Sequence, residues 1–385
     1  MNRGASPELL TWVDQVVAVP GGFIGSMAEL DLESGRQGSA LFRLDSARPA
    51  QRVGPDGPDM ARILGRIARA PGADVVAHGS LLVAAACTPA LRPLVGGIVQ
   101  AAGGRDQPLG PVVVAGSRAW VLVGTADGLS PTTQRILQTD LADVAAGTVR
   151  DLDLAALNLS AVRRITLIAR YADSLAVAVA DAVRGFDLYR LAAAGTLEPV
   201  LTEGARRFAL NAAVSAVASH GDGGLLLGVA ALAPAEELTG SWGPELIALE
   251  PDGSWDLVFG AMRFAPGGMA VPISGMKPGL DNPANAAIRA IAVGRVGGRL
   301  LTCIAMQDHV GPPVQDRRQV TADLMAYRGT VRLYGSHDLQ DWFAIPVSLP
   351  AGSGCVTVLG VSDQGLLIGH EGSQAGQVPA LLVRP

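Results

Sequence analysis

Apolar residues in this chain fall in short runs, each followed by a Gly-, Ser- or Asp-bearing turn and then a second apolar run. Val16–Val19 turns through Pro20-Gly21-Gly22 into Phe23-Ile24, and Val75–Ala77 turns through His78-Gly79-Ser80 into Leu81–Val83. The same unit recurs at Val112–Ala115 with Trp120–Val123, at Ile165–Ala169 with Leu175–Val179, and at Val214–Ala218 with Leu225–Leu227. It recurs again at Ile288–Val293 with Leu300-Leu301 and at Val356–Val361 with Leu366–Ile368. Turn-joined apolar strands are hairpins. A second hairpin lies between copies: Phe186–Leu191 with Leu197–Leu201, Pro244–Leu249 with Trp255–Phe259, Val331–Tyr334 with Trp342–Ile345, and more loosely Leu41–Leu44 with Gln51–Val53. Two hairpins per copy make a four-stranded antiparallel sheet, and seven such copies predict a single-domain, all-β, seven-bladed β-propeller over residues 1–385.

The predicted blades are 14–56, 74–109, 111–152, 162–201, 212–259, 288–346 and 356–384. The last has only three strands, so the pattern expects residues 8–13 to supply its fourth and close the ring, which removes exposed edges. One short helix is expected near 60–69, where Met60, Ile63, Leu64 and Ile67 share a helical face. Residues 137–149 are also helix-compatible. The 48 Gly and 25 Pro argue against a mostly helical chain.

Call the strands of a blade A to D from the centre outward. In a meander the A–B and C–D turns share one side of the disc, and the B–C and D–A connections share the other. The first set is short. The second holds the long connections 54–73, 230–243, 260–287 and 306–329, and long loops on a rigid scaffold are where binding and catalytic groups collect. His309 beside Asp308, and His370 beside Glu371, fall on the long-loop side as candidate general acid–base groups. His78, His220 and His337 fall in short turns. Asn158, Asn211 and Asn285 precede innermost strands, where they either cap turns or offer amides to a ligand. Arg163, Arg164 and Arg289 lie in or beside innermost strands and need an acidic partner or an anionic ligand. Lys277, the single lysine, sits in an apolar D–A loop and is a candidate ligand-binding amine. Cys303, His309, Cys355 and His370 fall near one another in blades 6 and 7, yet their spacing matches no metal-ligand signature, so no metal is predicted. No cofactor is identified.

Composition narrows the partners. Net charge is −5, which leaves no basic field for nucleic acid or an anionic membrane. No apolar run reaches membrane-span length, the first residues do not read as a secretion signal, and three dispersed cysteines suit a reducing cytoplasm. No phosphate-binding Gly-Lys-Ser/Thr loop, strand-coupled G-x-G-x-x-G, G-x-S-x-G elbow or H-E-x-x-H is present.

Ser336-His337-Asp338-Leu339-Gln340-Asp341-Trp342 resembles a degenerate Asp-box, the S-x-D-x-G-x-T-W turn of sialidase-like propellers, with the Gly replaced and the spacing one residue short. Asp252-Gly253-Ser254-Trp255 is a second partial copy. In that family the box is a structural C–D turn away from the catalytic face, so the resemblance implies the fold and no activity. The family's catalytic pattern of an Arg triad, a Tyr and an acid is not placed residue by residue on this sequence, and no sialidase is inferred. The functional expectation is a small-molecule-binding propeller with its site at the channel mouth, extending to an acid–base lyase, cyclase or transferase. The alternative is a non-catalytic scaffold for protein partners, with oligomerisation through an apolar rim.

Overall fold

A computed structural model describes residues 9–19, 22–31, 37–45, 48–53, 75–78, 81–84, 106–109, 113–125, 133–140, 149–230, 243–282, 285–308, 332–350, 353, 356–372 and 378–384. The chain is a β-propeller. Blade 1 is the meander β1 (Leu9–Val19), β2 (Gly22–Asp31), β3 (Gln37–Asp45) and β4 (Arg48–Val53); blade 2 contributes β5 (Val75–His78) and β6 (Leu81–Ala84). Blade 3 holds β7 (Asp106–Pro108), β8 (Val113–Ala115), β9 (Arg118–Thr125), β10 (Arg135–Asp140) and β11 (Arg150–Asp151). Blade 4 is β12 (Arg163–Tyr171), β13 (Ser174–Asp181), β14 (Asp187–Leu191) and β15 (Leu197–Leu201), and blade 5 is β16 (Ala213–His220), β17 (Gly224–Ala230), β18 (Glu245–Leu249) and β19 (Trp255–Phe259). A small hairpin, β20 (Arg263–Ala265) and β21 (Gly268–Ala270), follows in the D–A connection. Blade 6 is β22 (Asn285–Val296), β23 (Arg299–Asp308), β24 (Arg332–Ser336) and β25 (Trp342–Ile345), and blade 7 holds β26 (Val356–Ser362), β27 (Gly365–Gly372) and β28 (Ala380–Val383).

Innermost strands neighbour one another in chain order: β1 with β5, β8 with β12, β12 with β16, β16 with β22, β22 with β26, and β26 with β1. The core lies between blades, because each sheet buries apolar residues from both faces. Blades 3 and 4 share Trp120, Leu122, Ile136, Val177 and Leu191, and blades 4 and 5 share Phe186, Leu188, Leu227 and Ile247. Trp342 of blade 6 meets Phe259 of blade 5 edge-on at 5.7 Å, an orientation that the ring quadrupoles favour.

Three expectations change. Leu9–Val13 is not a strand by itself: it is the first half of β1 and pairs with β2. It also pairs with the last blade, with Thr11 opposite Gly372 and Trp12 opposite Glu371 of β27. Blade 3 starts at Asp106 rather than 111, because β7 pairs with β9 ahead of β8. Residues 135–140 are strand, since Ile136 and Leu137 of β10 find apolar neighbours on the two sides of the sheet. The helix expected over 60–69 lies outside the described residues.

A shared irregularity marks the innermost strands. Five of them shift register by one residue at the same place, leaving Asp14, Thr166, Ser215, Arg289 and Thr357 as the extra residue. Such a bulge interrupts the ladder and sharpens the twist. All five extra residues are polar. The Ser215 hydroxyl donates to the Gly228 carbonyl at 3.1 Å or the Ile288 carbonyl of the next blade at 2.8 Å. Thr166 makes the corresponding contact to Ala178 at 3.4 Å. A local hydroxyl thus occupies a carbonyl beside the ladder break.

Candidate functional site

The meander sends the starts of A and C strands and the ends of B and D strands to one side, the side of the long connections. The first C-strand residue there is charged in blades 4, 5 and 6, buried in the first two and half-buried in the third. In blade 4 it is Asp187. One Asp187 oxygen accepts the Glu203 backbone N–H at 3.0 Å, and the other accepts Arg163 Nη2 at 2.6 Å. Arg163 also donates to the Leu157 carbonyl and the Tyr189 hydroxyl, and pairs with Asp181 at 3.3 Å. Burial alone would lower the Arg163 pKa, but the Asp187 hydrogen bond together with the interactions with Tyr189 and Asp181 outweighs it and raises the value. Burial pushes Asp181 upward, and the Arg184 and Val183 backbone N–H groups together with Arg163 more than reverse that.

In blade 5 the equivalent residue is Glu245, with no exposure at all. It accepts from the Ala261 backbone at 2.6 Å, from Asn211 Nδ2 at 2.8 Å and from Arg263 Nη1 at 3.1 Å, and it faces Arg207 Nη1 at 3.3 Å. One carboxylate therefore joins two D–A loops to a C strand. Burial lowers the pKa of both Arg207 and Arg263, and Glu245 opposes that shift. Arg263 also lies over the Trp255 ring at 5.5 Å, a contact that favours a desolvated cation.

The loop entering blade 5 is held in an unusual conformation. Glu203, Gly204, Ala205 and Arg206 have φ of 54°, 60°, 53° and 68°, a left-handed turn that costs L-residues about 1–2 kcal/mol each. Its groups are pinned by Asp187, by Asn211 Nδ2 on the Gly204 carbonyl at 3.0 Å, and by Arg263 Nε on the Ala205 carbonyl at 2.7 Å. A Cβ at position 204 would lie 2.7 Å from the Asn211 carbonyl oxygen, so glycine is required for packing as well as for φ. Strain of this kind persists where the surroundings over-determine it, and it gathers at functional sites.

Blade 6 repeats the arrangement with one reversal. Asn285 occupies the place of Asn211: each stands three residues before the pre-bulge position, and its Nδ2 donates to a loop glycine, Gly279 at 2.8 Å. The residue matching Asp187 and Glu245 is Arg332, since it lies opposite Met306 as they lie opposite Val179 and Val229. The internal carboxylate is replaced by a cation. Among the described residues, buried Asn285 Oδ1 and Arg332 Nη1 have no hydrogen-bond partner. Tyr334 Oη lies 3.3 Å from Asn285 Nδ2. Buried polar atoms left this way are costly and call for an explanation.

The residues singled out from sequence divide accordingly. Asn285 lies directly opposite Asp308 at the start of β22, and Arg289 is the buried bulge residue further along the same strand. His309 lies outside the described residues. His370 is buried in the adjacent blade 7, opposite Val356, at the layer filled by Met27, Val179, Val229 and Met306 in other blades. Its Nδ1 lies 2.7 Å from the Glu371 carbonyl, and burial lowers its pKa. Asn211 sits one blade away with its amide engaged by Gly204 and Glu245. Asn158 is exposed in a left-handed cap at φ 48°, and Lys277 is exposed with its backbone N–H on Asp281, so neither joins this group. Arg163 pairs with acids of its own blade.

Cys303 is fully buried and its thiol is pushed up to about 12 by burial, which removes thiolate reactivity. Cys355 lies outside the described residues, and among those described no three metal-ligating side chains cluster. The Asp-box-like turns lie between C and D strands: Asp338 accepts the Gln340 and Asp341 backbone N–H groups, each at 2.9 Å, and these bonds lower its pKa. The Arg207–Glu245–Arg263 and Arg332 positions escaped the sequence reading. Their signal was an acid opening the third strand of one blade and an arginine opening that of the next, which only a residue-level register between blades brings out.

One feature points outward. Phe264 and Met269 pair across the β20–β21 hairpin, so they share a face that extends to Met262 and Val271 by alternation. All four are exposed, Phe264 at 79%. The opposite face carries Arg263 into Glu245.

No family model and no curated protein matches the chain. Among solved structures it is similar to the β-propeller domain of the Trilobed protease from Pyrococcus furiosus, at 7% identity over 99% of this chain and 85% of that one, with a TM-score of 0.36. It is also similar to a mutant of AofleA from Arthrobotrys oligospora, at 8% identity over 99% and 90% of the two chains and a TM-score of 0.42. A third similarity is to the fucose-specific lectin of Aleuria aurantia, at 9% identity over 94% and 89% and a TM-score of 0.39.

Proposed function

We propose that this propeller binds a small molecule at the inner, long-loop end of blade 6. The observation that carries the reading is the exchange of the internal carboxylate of blades 4 and 5 for Arg332, beside a buried Asn285 Oδ1 that has no partner among the described residues. A ligand offering a hydrogen-bond donor to Asn285 and an acceptor to Arg332 would take the place that Asp187 and Glu245 hold in blades 4 and 5. Asp308 at the end of β23, His309 after it and His370 on the adjacent blade would supply acid–base chemistry to a ligand held there, as in a lyase, cyclase or transferase.

The test is a ligand-observed NMR screen of small metabolites against the wild type and Arg332→Met, a substitution that keeps the apolar stem. Hits that disappear with Arg332→Met are expected. A screen in which every hit survives the change would remove the site. Asp308→Asn and His309→Gln then separate binding from turnover, since they should spare the first and abolish the second.

A second reading, a scaffold for a protein partner, is favoured by the apolar face Met262-Phe264-Met269-Val271. Phe264→Glu would abolish association under that reading and leave small-ligand binding untouched.

A further inference from the structure

Strands β9–β11 of blade 3 and the C–D turn of blade 4 leave a cleft of about 180 Å³ between them, on the side of the disc away from the long connections. One wall is the blade 3 sheet. Asp140 lies opposite Arg118 and Gln138 lies opposite Arg150, so all four side chains rise from one face of that sheet. This is the face that buries Ile136 and Leu152, two positions along in β10 and just beyond β11, against Leu191 and Leu197 of blade 4. The apolar contact between blades thus ends in a polar patch instead of closing. The other wall is the blade 4 turn Ala193-Ala194-Gly195, which has nothing larger than a methyl group to fill the space.

The chemistry of the cleft is specific. Two guanidinium groups face one carboxylate, and Arg118 Nε stands 3.6 Å from Asp140 Oδ1, beyond hydrogen-bonding distance. Both groups therefore keep their capacity for a ligand. Gln138 adds a neutral donor and acceptor. Trp120, directly opposite Gln138 on the same face, is 1% exposed and its indole N–H has no partner among the described residues. The volume corresponds to about six waters at ~30 Å³ each.

We propose that this cleft binds a short hydroxy-carboxylate. The carboxylate accepts from Arg118 and Arg150, a hydroxyl donates to Asp140, and Gln138 donates to a hydroxyl oxygen. Charge selects the anion, and the retained Asp140 selects against anions that bring no hydroxyl proton.

The test titrates the full chain with D-glycerate, with glycerol as its uncharged twin and with inorganic phosphate as an anion of different shape, by calorimetry and amide NMR. Saturable glycerate binding is expected, at least about tenfold tighter than glycerol or phosphate. Arg150→Ala is expected to weaken glycerate about tenfold or more without lowering the unfolding temperature, because the side chain is exposed. Ala194→Trp should fill the cleft and abolish binding in a folded protein. The proposal is overturned by the absence of saturable glycerate binding, by glycerol or phosphate binding as tightly, or by a folded Ala194→Trp variant that binds like the wild type. Arg332→Met leaves this cleft intact, so the two sites are tested separately.

Discussion

Glu245→Gln is the most informative single substitution. It preserves volume and one acceptor oxygen while removing the carboxylate that faces both Arg207 and Arg263. The two arginine side chains are 5% and 9% exposed and Glu245 is 0% exposed, so solvent cannot replace the lost anion. The new amide N–H groups would also point at donors, either Asn211 Nδ2 or the Ala261 backbone. Breaking a buried pair by removing one partner costs about 3–5 kcal/mol, and this carboxylate serves two cations. Urea unfolding followed by tryptophan fluorescence should show a midpoint lowered by that amount divided by an unchanged m-value. Arg190→Ala, which breaks the half-exposed Arg190–Glu198 contact at 3.3 Å, should cost under about 1 kcal/mol and serves as the control. Adding Arg263→Gln to Glu245→Gln should recover part of the loss, because one buried cation goes with it. A Glu245→Gln protein within about 1 kcal/mol of wild type would refute the three-segment clamp.

Further outcomes follow from other positions. The folded-state pKa of His370 lies below its unfolded value of about 6.5 because burial disfavours the imidazolium. The unfolded chain then binds more protons as pH falls through and below about 6.5, so stability should fall on acidification in that range, and His370→Met should flatten the slope. Gly204→Ala, at φ 60° and with a 2.7 Å clash against backbone, should cost at least about 1–2 kcal/mol in the same unfolding assay. Ser215→Ala removes a hydroxyl within 2.8 Å of a carbonyl of the next blade and should cost about 1 kcal/mol, whereas Ser219→Ala, exposed on the same strand, should cost little.

The propeller was legible because alternation and turn chemistry are local. Pairs such as Val214–Ala218 with Leu225–Leu227 register across a short turn, and nothing distant is needed to place them. The sides of the disc followed from the same local rule, so Asn211, Asn285 and Asp308 were placed at the ends where they occur. What stayed hidden depends on contacts across long connections. Arg207 and Arg263 lie far apart in sequence and meet only through Glu245, and the residues between them carry no periodic signal. The fate of the asparagine amides was hidden for the same reason: Asn211 finds Gly204 and Glu245 through a left-handed turn that composition does not announce. The N-terminal strand was read as a separate element because Asp14-Gln15 breaks the apolar run, and that break is the bulge of β1 itself.

That recurring extra residue has a consequence for parity. Side chains along a strand alternate sides, and one inserted residue swaps odd for even. Each hub strand thus runs on opposite phases before and after residues 14, 166, 215, 289 and 357. Deleting any one of them would invert half a strand, sending what now meets one neighbouring sheet toward the other. A graft that exchanges whole modules at these points keeps phase, whereas a splice a single position away does not.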